Sequence, residues 1–344
     1  MAVLFLIAVL GSGCSVTGRD SEQAPTAPTV PTAAGAPPAS PAASSEQLPR
    51  VAAPPEMEQA VDRLLAGEDG VYGIVITRPD GAIIYSRNCD TPFVAASLYK
   101  LILMAAVHQA QELGVLRFDQ VVRLDDDYFF DSIEFPDSYF PVAAAGDEVT
   151  IDELMFATGA YSSNVAARAL LSLTDRASLE EMAGQLGLAN THLFVAPARL
   201  SEWPPSPSAD AVASDTESAK RFADESAIDG PVNLTTPCDV ATFFSLLLAG
   251  KVVSAEASAA MLEILKQQAV NDRFPILLPR GVVTAHKTGN LEHVVHDAGV
   301  IYGPDGPVIL AALSEGMVED DRANAIIQRL ALIAYGVSDV PPVA

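Results

Sequence analysis

Ser97 stands three places ahead of Lys100 in VAASLYKL, residues 94–101, and Lys100 is one of only five lysines among 344 residues. Residues three apart on a helix share a face, so an ammonium at 100 can reach a hydroxyl at 97. A serine hydroxyl is a weak nucleophile until a base takes its proton, and a lysine depressed by burial and positive neighbours is such a base. The helix N-terminus adds partial positive charge where an oxyanion would develop. Ser-x-x-Lys also arises by chance on exposed helices. This one occurs once, among Ala95, Ala96, Leu98, Leu101 and Ile102, which argues against an exposed face. Two further clusters lie downstream: Ser162-Ser163-Asn164 before an apolar helical run, and Lys287-Thr288-Gly289-Asn290 at the end of a β-rich run.

The elements that must position these groups are legible from periodicity. In PEMEQAVDRLLAGEDG, Met57, Val61, Leu64 and Leu65 form one apolar face, with Pro55 suited to a helix start and Gly67 to its end. Two β-rich runs follow, Val71 to Thr77 and Ala82 to Ser86, around Arg78-Pro-Asp-Gly81, which reads as a hairpin turn. Helical periodicity runs from about Ser97 to Leu113 and dominates the middle of the chain. Strands return after Gly281 in GVVTAHKTG, DAGVIYG and PVILAALSE, and DDRANAIIQRLALIAYG closes as an amphipathic helix. The expected class is α+β: an antiparallel sheet built from both ends of the domain and flanked by helices, with an all-helical subdomain inserted and the active site between them. No internal repeat is apparent.

Composition sets outer bounds. The formal net charge is -24, and nearly all of it lies beyond residue 55. Such a surface repels nucleic acid and anionic lipid headgroups, and its plain use is solvation. The first residues, MAVLFLIAVLGSGC, form an apolar run too short to span a membrane but of the right size for a signal-peptide core. They resemble a bacterial lipoprotein signal with Cys14 as the lipidated residue, although no basic residue precedes the run and Gly11 stands where leucine is usual. An ordinary secretory signal, or a start assigned too far downstream, is the alternative. Both signal readings place the protein outside the cytoplasm. Residues 15–54 are rich in Ala, Pro, Thr and Ser and read as a tether, which leaves 55–338 as the catalytic domain. Cys89 and Cys238 are the other two cysteines, and an oxidising compartment would permit a disulfide between them.

Taken in order, the three polar clusters resemble the motif set of the class A β-lactamases and the wider penicillin-recognising serine hydrolases: Ser-x-x-Lys, Ser-Asp-Asn and Lys-Thr-Gly. NLTTPCDVATFFSLLLAG and VNDRFPILLPRG also resemble segments of that family, and the likeness spans about Glu56 to Ser338. The resemblance implies an acyl-enzyme on Ser97 with Lys100 exchanging its proton. It gives Ser162 the transfer of a proton to the departing nitrogen, and Asn164 the holding of Lys100 and the substrate amide. Lys287 and Thr288 would bind a substrate carboxylate, Gly289 would let substrate lie close to the strand, and the backbone N–H groups of Ser97 and Asn290 would form the oxyanion hole. The implied partner is a small β-lactam or a D-Ala-type peptide, met by a monomer whose sole membrane contact is the N-terminal lipid. No cofactor, metal or nucleic acid enters.

Two departures from the family pattern matter. Ser163 replaces the usual aspartate, which removes a carboxylate. The glutamate of the family's Ω-loop motif, Glu-x-x-Leu-Asn, which activates the deacylating water, is absent from the sequence. A long polar stretch, residues 201–232, offers Glu202, Glu217 and Glu225, and Glu202 is the candidate base because it follows Arg199 at a similar distance from the Ser-x-Asn motif. The readings are therefore a hydrolytic β-lactamase, of use in antibiotic resistance or β-lactam catabolism; a D-Ala-D-Ala peptidase or esterase relative that acylates and releases slowly; and a non-enzymatic envelope sensor, against which the intact Ser97, Lys100, Ser162 and Lys287 argue. His293, His296, Glu292 and Asp297 fall close together, but without His-Glu-x-x-His or Gly-x-Ser-x-Gly they read as polar residues beside the active-site strand. His286 should point away from Lys287 by strand alternation. Trp203 and the run Tyr128-Phe129-Phe130 read as packing under loops.

Overall fold

The computed structural model describes residues 49–174, 176–195 and 232–343. Cys14, the tether up to residue 48, and Glu202, Trp203, Glu217 and Glu225 lie outside the described residues. Helix α1 (Pro55–Leu65) leads into strands β1 (Val71–Thr77) and β2 (Ile83–Arg87), joined by the expected turn. The other three strands of the main sheet come from the far end of the chain: β8 (Val283–Leu291), β9 (Val294–Gly303) and β10 (Gly306–Glu315). The order is β2-β1-β10-β9-β8, antiparallel throughout. Both ends of the domain do build one sheet, and β8, carrying the Lys-Thr-Gly motif, is its edge.

Strand alternation divides this sheet between two cores. Ile74 and Ile76 of β1 and Leu310 and Ala312 of β10 point to one side, against Val61 of α1 and Ile326, Ile327 and Leu330 of the C-terminal helix α9 (Asp320–Tyr335). Val75, Ile309, Ala311 and Leu313 point to the other, where the inserted helices pack. Covered on both faces, the strands read as continuous apolar runs rather than alternating ones. The inserted part holds α2 (Tyr99–Glu112), α3 (Ile151–Ala160), α4 (Asn164–Leu173), α5 (Arg176–Gln185), α6 (Pro237–Leu248) and α7 (Ala255–Leu265), with the short α8 (Phe274–Leu277) leading into β8. Every residue of α2 from Lys100 to His108 is buried, the pattern of a helix at the centre of a core. Thr150, Ser163, Thr236 and Ser254 cap α3, α4, α6 and α7 by accepting a backbone N–H.

Short strands interrupt the expected helical middle: β3 (Phe93–Val94), β6 (His192–Val195) and β7 (Val232–Thr235) make a small sheet, and β4 (Val121–Arg123) pairs with β5 (Glu148–Thr150). Strands of two to four residues have too little length to show a period. Phe129 is buried as expected, but Phe130 is exposed, with the Arg168 guanidinium 4.3 Å over its ring. Among the described residues no helix is long and apolar enough to cross a membrane.

Cys89 and Cys238 are joined in a disulfide that links chain segments 149 residues apart, with Cα atoms 5.0 Å from each other. It fastens the segment before β3, and so the approach to Ser97, to the start of α6. Closing so long a loop restricts the unfolded chain, so Cys238→Ser should lower stability by about 2–5 kcal/mol. Urea unfolding under non-reducing conditions measures this, and an unchanged midpoint would refute it.

Candidate active site

The chain reaches the nucleophile through a short 3-10 turn, Ala96–Leu98, from which α2 continues at Tyr99. Ala96 has φ 43°, a left-handed conformation costly for a residue with a Cβ. What holds the turn there is a pair of buried side chains from the sheet. His296 Nε2 lies 2.8 Å from Val94 O, and the Glu315 carboxylate accepts from Val94 N. Because Ser314 N donates to His296 Nδ1 at 3.1 Å, the ring must be neutral with its proton on Nε2, donated to Val94 O. His296 is thus a structural member of the sheet, while His293 sits half-exposed at the β8–β9 turn beside Glu292, 3.7 Å away. The two histidines do not share a site. His286 faces away from the cleft as alternation requires, bonding Asp297 Oδ1 at 2.8 Å and stacking on Phe274.

Burial lowers His296 and His108 each to about 4. The sign follows directly. Below pH 6.5 the unfolded chain binds two protons that the folded chain refuses, so stability falls as pH drops from about 6.5 to about 4, by roughly 3 kcal/mol per histidine. Asp239, raised to about 6 by burial, acts oppositely over the same window and offsets one of them. Histidine C2–H resonances that stay untitrated down to about pH 5, with a urea midpoint that declines over this range, are the expected result. Titration of either ring near 6.5 would contradict it.

Ser97 opens on a cleft of about 190 Å³, lined also by Pro136, Asp137, Ser138, Tyr161, Ser162, Asn164, Thr288 and Asn290. Lys100 is fully buried beneath it. The three-residue spacing puts Ser97 within reach of an ammonium at 100. In the structure the Lys100 Nζ bonds run to Ser162 O at 2.5 Å, Asn164 Oδ1 at 2.7 Å and Ser162 Oγ at 3.4 Å. A carbonyl and an amide oxygen are stronger acceptors for an amine than a hydroxyl, and the Ser-Ser-Asn turn presents both. Burial depresses Lys100 to about 7, Arg168 adding to the effect and Asp137 and Asp131 opposing it. A neutral lysine has two N–H donors, which the two short bonds occupy, and one lone pair left to take a proton.

Lys287 reaches the same serine from the sheet side. Its Nζ donates to Ser162 Oγ at 2.7 Å and to Thr288 O at 2.8 Å. Ser162, itself left-handed at φ 57°, thus bridges the two lysines. Burial, then the neighbouring Lys100 charge, push Lys287 well below the usual lysine range. An anion entering the cleft would reverse that push.

A Cβ at Gly289 would meet Ala96 Cβ at 3.2 Å, His296 Cδ2 at 3.3 Å and Ala95 O at 3.4 Å, so the missing side chain makes room for the nucleophile's turn. Two charged residues went unread in the sequence. Arg273, buried, donates to Asn290 Oδ1 at 2.9 Å, His296 O at 3.2 Å and Asn324 Oδ1 at 2.6 Å, fixing the end of β8. Asp137 binds the Ser-Ser-Asn turn. Its place after Pro136 marks a turn residue, but nothing in the sequence pairs it with Ser163.

The model of the β-lactamase enzyme family matches residues 56–337 of this chain. The chain belongs to the β-lactamase enzyme family. The extended-spectrum β-lactamase PER-1 of Pseudomonas aeruginosa is 24% identical over 300 residues, covering 83% of this chain and 88% of PER-1. A solved β-lactamase from Sphaerobacter thermophilus superposes with a TM-score of 0.66 at 25% identity, over 83% of this chain and 98% of that one. PBP-A has the same fold, with a TM-score of 0.65 at 21% identity over 84% and 98%. The protein is a class A β-lactamase-like serine hydrolase, and its three polar clusters meet at one cleft.

Proposed function

We propose that this β-lactamase-like enzyme opens β-lactam rings through an ester on Ser97. Neutral Lys100 takes the Ser97 proton as Oγ attacks the ring carbonyl. The C–N bond then breaks, and Ser162 passes a proton from Lys100 to the departing nitrogen. Backbone N–H groups of Ser97 and Asn290 hold the oxyanion, each worth about 3 kcal/mol in the transition state. Asn164 orients Lys100 and the substrate amide, while Lys287 and Thr288 receive the substrate carboxylate. Water then hydrolyses the ester. The observation that carries this reading is the convergence of two depressed lysines on one hydroxyl, Ser162 Oγ, beside Ser97.

Among the described residues lining the cleft, the one carboxylate is Asp137. Burial pushes it up, but N–H groups of Phe140, Val165 and Tyr139 and the Ser163 hydroxyl outweigh this and hold it below the usual range. Five bonds occupy its oxygens, so it is a poor base for water. We assign that step to the segment that includes Glu202. The signal and tether give the setting: a catalytic domain, 55–338, on a 15–54 tether, lipid-anchored outside the cytoplasm through Cys14, monomeric, and protecting its cell from β-lactams. The disulfide supports that compartment.

Mixing the purified protein with a penicillin and following loss of the β-lactam absorbance tests the assignment. Many turnovers per enzyme are expected. Consumption of a single equivalent would overturn hydrolytic turnover and leave a slow-releasing, peptidase-like acylating enzyme.

A further inference from the structure

The Ser-Ser-Asn turn carries two of the proposed site groups yet has no carboxylate of its own. Its surroundings supply one from 26 residues upstream. Asp137 Oδ1 accepts from Ser163 Oγ at 2.8 Å, and also from Tyr139 N and Phe140 N at 3.0 and 2.9 Å. Asp137 Oδ2 accepts from the backbone of Asn164 at 2.7 Å and of Val165 at 3.0 Å. One side chain therefore fixes its own loop as an Asx turn and ties that loop to the first turn of α4. Ser163 is left to cap α4 through Ala166 N at 3.0 Å. Held between these bonds are Ser162, in its left-handed conformation, and Asn164, the residues that accept from Lys100.

We propose that Asp137 is the positioning residue of this cleft, a carboxylate supplied by a separate loop that locks Ser162 and Asn164 against Lys100. The first role is geometric. Five donors converge on two oxygens, and an asparagine amide can satisfy the donors on one side only, since its NH2 would face N–H groups on the other. The second role is electrostatic. The groups whose charges act on Lys100 are Asp137 and Asp131, which favour its cation, and Arg168, which opposes it, with Lys287 sharing Ser162 from the sheet side. Asp131 is already engaged bidentately by Arg168, at 2.8 and 2.5 Å, so its charge is largely matched. Among the described residues no cation lies at hydrogen-bond distance of Asp137, and the bonds it accepts from them come from neutral donors.

The proposal rests on the acylation reading, so its test includes a measurement that needs no substrate. With five lysines in the chain, the Lys100 side chain can be titrated by NMR of ε-13C lysine. In Asp137→Asn the Lys100 midpoint should move below the native value by about half a pH unit or more, because a nearby negative charge is gone. Acylation by penicillin should slow by about ten- to hundred-fold, the scale set by a misplaced reacting group, with the acid limb of its pH profile moving the same way. Adding Ser163→Asp returns a carboxylate to the turn, and aspartate caps a helix as well as serine does. The double variant should recover both midpoint and rate to within about five-fold of the native protein. If Asp137→Asn does not fold, the double variant carries the test alone. An unmoved Lys100 midpoint in a folded variant, or a double variant as slow as the single one, overturns the proposal. A native protein that forms no penicillin adduct would instead defeat the functional reading, with the titration still deciding Asp137.

Discussion

Lys100→Met should slow acylation of Ser97 by about 10²–10⁴-fold, the range that a positioned general base contributes. The pH dependence is the more telling part. A lysine takes a proton only when neutral, so the native acylation rate should rise with pH through about 7, where burial has brought Lys100. That limb should vanish in Lys100→Met, because methionine fills the same space and does not titrate. The variant should also fold, since it removes a buried amine whose charge is costly, although Ser162 O and Asn164 Oδ1 lose their donor. Stopped-flow acylation across pH measures both effects. A rate within about ten-fold of native, or a limb that persists, would show that another group takes the proton.

Ser97→Ala has the largest expected effect. With no oxygen to attack the carbonyl, hydrolysis should fall by roughly four orders of magnitude or more, as removing a nucleophile does in serine hydrolases generally. Binding should survive, because Lys287, Thr288 and Asn290 remain in place. The stability change should stay within about 1 kcal/mol, since Ser97 is half-buried and alanine suits the same turn. A loss that appears in KM with kcat preserved would contradict the role of Ser97.

The strands of the main sheet were legible because they are long and bounded by turn residues. Val71–Thr77 matches the run read from the sequence, and the second strand differs by one residue at each end. Buried α2 was legible through its composition, but its start was not: a 3-10 turn with Ala96 in a left-handed conformation is imposed by His296 and Glu315, which are distant in sequence. The small strands β3, β6 and β7 depend on pairing between segments far apart, which no local pattern records. The same holds for the disulfide, whose cysteines are visible and whose proximity is not.

At the site, residue types were readable and their contacts were not. Ser97, Lys100, Ser162, Asn164, Thr288 and Asn290 do come together, with Lys287 joined to Ser162. Spacing along a helix shows that two side chains share a face, but the stronger acceptors decide where an ammonium points, and for Lys100 those belong to the Ser-Ser-Asn turn that opens α4. Gly289 was legible as a site of close approach, though not as one facing the nucleophile's own turn. Asp137 and Arg273 escaped because a single charged residue in a loop carries no period and no motif; only the fold shows that their partners are Ser163 and Asn290.

An intact-mass time course of the protein mixed with a penicillin, run beside Ser97→Ala, tests the central claim most directly. The native protein should gain the mass of one penicillin, then lose it as hydrolysed product accumulates, and the variant should gain nothing. An adduct of equal extent on Ser97→Ala, or product formed by the native protein and the variant at the same rate, would contradict an acyl-enzyme at Ser97.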